Sequence, residues 1–154
     1  MTQPINIIPY LTIRDAAKAV EFYKAAFGFV EISRMAMPGS GKLMHCELRL
    51  ENWALMLSDE FPEMGTTNCK SPATLGGSTV TVHISCPDVD ALVARAVAAG
   101  AKPVMPVMDM FWGDRFGKVI DPFGHHWSLS THKEDVAPDE MKRRAEEFFS
   151  KWKP

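Results

Sequence analysis

The sequence predicts an α+β fold made of two similar modules, each with one helix between its first strand and three further strands, plus a C-terminal helix. Three observations predict it: a weak internal repeat, apolar residues at helical spacing in both copies, and strand-like runs after each helix. A helix with one apolar face must bury that face, and the following strands supply a sheet for it. The 154 residues, 46% of them hydrophobic, suffice for one sizeable core or two small halves that share one.

The first copy of the repeat covers about residues 5–60. A short apolar run ends at Ile13, and Asp15 then precedes a predicted helix at 16–27 that is closed by Gly28. We expect Asp15 to accept hydrogen bonds from free N–H groups of the first turn, and Gly28 to take the left-handed conformation of a C-cap. A tight connection at residues 51–52 predicts a hairpin. The predicted strands after the helix are 29–35, 43–50 and 53–58.

The second copy covers about residues 78–131 and repeats this order. Asp88 precedes a predicted helix at 89–99 that is closed by Gly100. Its predicted strands are 80–86, 102–105, about 112–120, and 127–130, with a turn at 121–124.

Two further segments lie outside the repeat. Residues 59–77 carry several Pro and Gly without periodicity, so they are interpreted as a linker between the modules or a lid. A third helix is predicted at about 138–152, because Pro138 suits a first turn and Met141, Ala145, Phe148 and Trp152 share one face. We expect that face to cover the core of its own chain or a dimer mate.

Strand alternation predicts that polar side chains share one face of the sheets. If the apolar residues of each strand point at the helices, the residues between them point at the opposite face. Such a face is either a solvated surface or part of a ligand cleft. The residues placed on it are His45, Glu47 and Arg49, then Thr81, His83 and Ser85, and finally His126, Ser128 and Ser130.

An aromatic and charged cluster follows at residues 111–117. Trp112 could stack on a planar group while the guanidinium of Arg115 holds an anionic oxygen. The alternative is an ion pair between Arg115 and Asp114 or Asp121.

Charge and cysteine content restrict the partners. The chain has 17 basic and 19 acidic residues and a formal net charge of -2, which favours neither nucleic acid nor an anionic membrane as partner. We find no apolar run of spanning length and no signal-peptide pattern, so we expect a cytoplasmic protein. The three cysteines, Cys46, Cys69 and Cys86, are interpreted as free thiols.

Several phrases of the sequence resemble the vicinal oxygen chelate superfamily, which contains glyoxalase, bleomycin-resistance and dioxygenase proteins, and most closely its PhnB-like branch. They lie within about residues 7–131 and are D-A-A-K-A-V-E-F-Y with F-G-F, the hairpin of residues 45–59, W-G-D-R, and D-P-F-G-H-H-W. The resemblance implies paired βαβββ modules that form a cupped mixed sheet around a cleft, and a homodimer. It also implies that metal is an open question, since some relatives are metal enzymes and others bind drugs without metal.

Counting from these landmarks, the resemblance places the four metal-ligand positions of the superfamily at Ile8, Met56, Thr81 and Ser128. None is a good ligand for a divalent ion, so we expect no metal cofactor. An atypical site made of His45, Glu47, His83 and His126 is the alternative.

The function predicted first is metal-free binding of a small aromatic or anionic molecule. An enzyme of the lyase or dioxygenase type, with an atypical metal or with Glu47 as base and His45 or His83 as its partner, comes second. An interaction protein whose open face is a dimer surface comes third. The predicted ligand-binding residues are Tyr10, His45, Glu47, Arg49, Met56, His83, Trp112, Arg115, His126 and Ser128.

Overall fold

The computed structural model describes residues 5–65 and 69–151, which form two four-stranded sheets with helices. The chain divides into two compact units: the first unit is residues 1–79 with 122–125, and the second unit is residues 80–121 with 126–154. Among the described helices, none is both long enough and apolar enough to cross a membrane.

The first unit has the order strand, helix, three strands. Its sheet has the strand order β1-β4-β3-β2, with β1 parallel to β4 and the remaining pairs antiparallel. The elements are β1 (Tyr10–Ile13), α1 (Ala16–Phe27), β2 (Val30–Ala36), β3 (Leu43–Leu50), β4 (Trp53–Asp59), a 3-10 turn (Pro62–Met64) and the short α2 (Pro72–Leu75).

The second unit repeats this order and adds the C-terminal helix. Its sheet has the strand order β5-β8-β7-β6, with β5 parallel to β8. The α+β prediction of two βαβββ modules with a C-terminal helix is therefore confirmed; Trp152, the predicted end of that helix, lies outside the described residues. The elements are β5 (Thr81–Ser85), α3 (Val89–Ala98), β6 (Lys102–Asp109), β7 (Asp114–Ile120), β8 (His126–His132) and α4 (Pro138–Lys151).

The core of the first unit is the apolar face of α1 on its sheet. Tyr23 and Phe27 of the helix are buried, as are Leu48 and Leu57 of the sheet. Phe123 belongs to the segment 122–125 and lies 6.5 Å from the Tyr23 ring, measured between ring centroids. The turn after β7 thus adds an aromatic side chain to the first unit.

The beginning of α1 is held by a residue other than the predicted one. Asp15 has φ 71 and its side chain accepts no capping hydrogen bond, so the prediction for this residue is wrong. Asp59, at the end of β4, accepts instead: its Oδ1 from the N–H groups of Asp15 (2.9 Å) and Ala16 (3.0 Å), and its Oδ2 from Leu43 (2.7 Å). One buried carboxylate therefore joins α1 to β3 and β4.

The other helix ends follow the predictions. Gly28 has φ 84 and closes α1 through bonds from its N–H to Lys24 and Tyr23. In the second unit, Asp88 Oδ1 accepts from the N–H of Ala91 at 3.0 Å, and Gly100 follows α3 with φ 118.

The segment 59–77, predicted as linker or lid, is partly bound to the first unit, and its residues 66–68 lie outside the described residues. Glu60 Oε2 accepts from the hydroxyls of Ser71 and Thr74, each at 2.7 Å. Arg14, just before α1, donates to Thr74 Oγ1 at 2.9 Å. Ser71 is buried. Movement of residues 71–75 would therefore break these bonds, and the lid interpretation stays a prediction.

We expect Asp59→Asn to lower the free energy of unfolding by about 2–4 kcal/mol. An amide cannot accept at both of its polar atoms, so at least one buried backbone N–H loses its partner together with the charge that strengthens these bonds. Denaturant unfolding followed by circular dichroism measures the change. Asp15→Asn is the matched control and should change stability by no more than about 0.5 kcal/mol. Equal losses in both variants would contradict the role given to Asp59.

Candidate functional site

The open face of the first sheet carries the predicted polar residues of β3. Cys46 and Leu48 are buried, whereas Arg49 is exposed and His45 and Glu47 are half-buried. The alternation applied to this strand therefore separates the side chains into two faces as expected.

Three strands bring these residues together with Tyr10 and Met56. In the sheet register, Met56 of β4 lies between Tyr10 of β1 and Glu47 of β3, and directly opposed residues share a face. The Tyr10 hydroxyl is 2.9 Å from Nδ1 of His45. Arg49 donates to Glu47 Oε1 from Nη2 at 3.1 Å. All five predicted residues of this unit thus lie together on one face.

The open face of the second sheet is organised around His83. Its Nδ1 is 2.8 Å from Ser128 Oγ, and its Nε2 is 3.2 Å from Ser130 Oγ and 3.3 Å from Ser85 Oγ. Hydroxyls donate or accept, so they satisfy either tautomer of a neutral imidazole. The His83 ring also lies nearly parallel to that of Phe116, at 6.3 Å between centroids and 17° between planes. These contacts fix the direction of the ring.

Trp112 extends this face as an aromatic series. It lies 5.6 Å from Phe116 and 5.0 Å from Phe111, both between ring centroids, while its Nε1 donates to Asp114 at 3.1 Å. Phe111 in turn contacts Phe148 of α4 at 5.6 Å. The predicted aromatic face of α4 therefore covers part of its own unit.

Arg115 lies on the other side of the sheet. It is opposite Thr131, whose hydroxyl accepts from the N–H of Val89 at the start of α3. Its Nε and Nη2 donate to the two carboxylate oxygens of Asp90 at 2.6 and 2.8 Å, and Nη1 donates to Asp109 at 3.2 Å. The hydrogen bonds from Arg115 lower the pKa of Asp90. Arg115 does form an ion pair, with partners other than the expected Asp114 or Asp121.

His126 lies on the open face but apart from His83. In the register it is opposite Thr81 and Ile120, one row from the row that holds His83 and Ser128. Of the predicted ligand-binding residues, the second sheet therefore brings His83 and Ser128 into direct contact. Trp112 joins them through the ring of Phe116.

Two residues of β7 on the same open face were missed by the sequence analysis. Phe116 lies opposite Ser130 and Lys118 lies opposite Ser128. The Lys118 ammonium lies 5.9 Å from the centroid of the Phe116 ring. The signal was present in the sequence, because Gly117 and the buried Val119 alternate with them, but alternation was applied only to three other strands.

At the four ligand positions that the resemblance predicts, the side chains are poor ligands for a divalent ion. Met56, Thr81 and Ser128 offer a thioether and two neutral hydroxyls, and Ile8 offers no donor. Within residues 5–65 and 69–151, no three His, Cys, Asp or Glu side chains are grouped so that they could hold an ion.

The cysteines are free thiols, as expected. Cys46 is buried on the helix side of the first sheet, and burial raises the pKa of its thiol to about 11. A thiol of this kind is a packing group rather than a nucleophile.

The W-G-D-R phrase holds the start of β7 to the end of β8 in the second unit. Gly113 has φ 99, and its carbonyl accepts from the N–H groups of Lys133 and Glu134 at 3.0 and 3.1 Å. A Cβ at this position would collide with the Glu134 carbonyl oxygen. His132, at the end of β8, contacts Asp114 Oδ1 through Nδ1 at 3.0 Å and Asp135 Oδ1 through Nε2 at 3.1 Å. These bonds connect β7, β8 and the segment that leads to α4.

The fold and these faces define a protein of paired βαβββ modules. The chain belongs to the Glyoxalase/Bleomycin resistance protein/Dioxygenase superfamily, whose family model matches residues 5–129. The Mycobacterium tuberculosis protein Rv0887c is 46% identical over 145 residues, which cover 92% of this chain and 85% of that protein.

Solved structures agree with this membership. The X-ray structure of the Arabidopsis thaliana gene product At5g48480 matches with a TM-score of 0.63 and 30% identity, covering 84% of this chain and 99% of that one. The PhnB protein from Bacillus cereus matches with a TM-score of 0.64, covering 82% and 99% of the two chains. Its identity is 18%, so this likeness shows the fold alone. The resemblance to the superfamily is thus confirmed, and the likeness to the PhnB protein is a likeness of fold.

We expect the pKa of His132 to exceed its ordinary value of 6.5, because Asp114, and to a lesser degree Asp135, accept hydrogen bonds from it. A raised folded-state pKa stabilises the protein fully below the unfolded value, and this contribution is lost as pH rises through the folded value. The melting temperatures of wild type and His132→Asn should therefore differ most below about pH 6.5 and converge at alkaline pH.

An NMR titration of the imidazole measures the His132 pKa directly. Asp114→Asn should lower it more than Asp135→Asn, because Asp114 makes the larger contribution. A wild-type value of 6.5 or below would show that the two carboxylates do not act on this histidine.

Proposed function

We propose that the chain binds a small aromatic or anionic molecule on the polar faces of its sheets, without a metal ion at the usual positions of its superfamily. The observation that carries this proposal is the setting of His83, whose ring is fixed by hydroxyls at both nitrogens and lies beside Phe116. A few oriented polar groups beside aromatic surface are typical of small-molecule sites.

The hydroxyls around His83 support binding rather than a merely solvated face. Ser128 and Ser130 are buried although they belong to the open face, because larger neighbours contact them. The imidazole of His83 and the serine hydroxyls are thus already joined by hydrogen bonds in the absence of a ligand. A preorganised site of this kind loses little conformational entropy on binding. Trp112 and Phe116 supply the apolar surface, and we place His126 at the margin of the site.

The first sheet adds a second group to the proposal. Tyr10 and His45 are joined by a hydrogen bond, and Met56 lies beside the ion pair of Glu47 with Arg49. An ion pair at a half-buried position can exchange its internal bonds for bonds to a ligand. We propose that these five residues offer polar contacts and one flexible apolar contact to a ligand on the face of the first sheet.

Arg115 has a different part in the proposal. Asp90 and Asp109 hold its guanidinium on the helix side of the second sheet. We propose that it positions β7 instead of touching the ligand.

An enzyme with acid and base chemistry is the second candidate. It is favoured by the Tyr10–His45 hydrogen bond, which orients an imidazole on the same face as the Glu47 carboxylate. In this proposal Glu47 acts as base with His45 as its partner, and His83 takes the corresponding part on the second sheet.

We also propose that the protein is a cytoplasmic homodimer. Support for the dimer comes from exposed apolar side chains of the edge strand β2, namely Val30 and Ile32, with exposures of 61% and 54%. Apolar residues on a sheet edge favour pairing with another chain.

We expect aromatic probes to perturb the amide NMR signals of His83, Phe116, Ser128 and Ser130. The probes are 2-naphthoate and its neutral analogue 2-naphthamide, which share one planar ring system. His83→Ala should weaken the binding of both at least about fivefold, because it removes the group that orders the hydroxyls. Lys142→Ala is the control: it removes an exposed side chain from α4, outside the proposed site, and should leave both affinities unchanged. Absence of any shift on the second sheet at millimolar probe would contradict the proposed site.

Metal analysis distinguishes the two candidate functions. We expect protein purified without chelator, and then incubated with Zn²⁺, Mn²⁺ or Ni²⁺, to retain well below one ion per chain and to melt at an unchanged temperature. Stoichiometric metal that is lost in Glu47→Gln would favour an atypical metal enzyme. Glu51→Gln is the matched control, because it removes a carboxylate of the same type at the neighbouring hairpin turn.

A further inference from the structure

The open face of the second sheet carries two lysines, and the acidic residue that the register places on it, Asp114, is already bonded to His132 and Trp112. Besides the end row of Asp114 and His132, the register places three rows of four residues on this face, and none of these twelve is acidic. Two are lysines and two are histidines, so a ligand on this face meets no carboxylate among them. The rows are Thr81, His126, Ile120 and Lys102; His83, Ser128, Lys118 and Met105; and Ser85, Ser130, Phe116 and Met108.

Lys118 is the cation nearest to the centre of this face. It is directly opposite Ser128, which bonds to His83, and its ammonium group lies over the Phe116 ring. Its side chain is exposed, and within the described part of the chain no ion pair joins it to a carboxylate. A lysine in this setting keeps its charge available for an anion.

Arg115 differs from Lys118 in its side of the sheet and in its ion pairs. It lies on the helix side of β7, and its guanidinium already binds Asp90 and Asp109. A ligand anion would have to displace a carboxylate held at 2.6 Å. The arginine of the W-G-D-R phrase is therefore the weaker choice of anion anchor on physical grounds, although its residue type is better suited to carboxylates.

We propose that the ligand of this face is a planar aromatic acid, whose carboxylate pairs with Lys118 and whose ring lies against Phe116 and Trp112. This inference rests on the proposed function, because it names the ligand class of the same site. The serine hydroxyls beside His83 provide donors for the second carboxylate oxygen. Lys118 then determines the preference for an acid over a neutral analogue, while the aromatic side chains bind both.

Isothermal titration with 2-naphthoate and 2-naphthamide tests this assignment. Wild-type protein should bind the acid about fivefold more tightly than the amide at low salt, the size expected for one partly exposed ion pair. Lys118→Met should remove this preference by weakening the acid alone, and Lys118→Arg should restore it. Added salt should weaken the acid and leave the amide unchanged.

Lys142→Met is the matched control, because it removes the same charge from an exposed position on α4. It should leave both affinities unchanged. If both probes shift the His83 and Ser128 signals but bind equally, or if Lys118→Met keeps the preference for the acid, the assignment of Lys118 is wrong while the binding site itself stands. If neither probe shifts those signals, the proposed function fails and this inference fails with it.

Discussion

The carboxylate of Asp59 is the constraint on which the first unit depends. Three backbone N–H groups, from two different places in the chain, converge on its two oxygens. The start of α1 and the start of β3 rely on this carboxylate for these donors, and an unsatisfied buried N–H is costly. Because Asp59 ends β4, the bonds also fix where the strand stops. Asp59 therefore helps to hold in place the strands that carry Tyr10, His45 and Glu47, although it does not lie on their open face.

Much of this fold could be predicted from local patterns, and the predictions that were wrong have a common cause. Helix α1 and the hairpin strand β3 follow from periodicity and turn residues, which are properties of neighbouring positions. The cap of α1 could not be predicted, because the acceptor Asp59 lies 44 residues after Asp15 in the sequence. The ion pair of Arg115 with Asp90 required the packing of α3 on β7, which no local pattern contains. Lys118 differs from these cases, because its face follows from alternation with its neighbours in β7.

Two of the phrases that resemble the superfamily, W-G-D-R and D-P-F-G-H-H-W, have mainly structural roles in this chain. In W-G-D-R, the glycine permits the close approach of the Glu134 carbonyl, the aspartate bonds to His132 and Trp112, and the arginine holds the start of α3. In D-P-F-G-H-H-W, the buried Asp121 accepts from Trp127 Nε1 at 2.9 Å. Most residues of these two phrases therefore hold the fold. Of the residues proposed to meet a ligand, Trp112 and the marginal His126 belong to the phrases, and the others lie outside them. Membership of the superfamily therefore indicates the fold, and the side chains on the strand faces are the evidence for the ligand class.

The short segment 122–125 has a consequence for the independence of the two halves. Its neighbours on both sides belong to the second unit, yet Phe123 contributes its ring to the aromatic cluster around Tyr23. The first unit thus takes a half-buried aromatic residue from a turn inside the other half of the chain. Removing the second half of the sequence would take Phe123 away from the first unit. Removing the first half would leave residues 122–125 without the unit to which they belong. The chain therefore has the sequence order of a duplication, yet the second half of the sequence holds a piece of the first unit, so a cut between the two repeats would divide that unit.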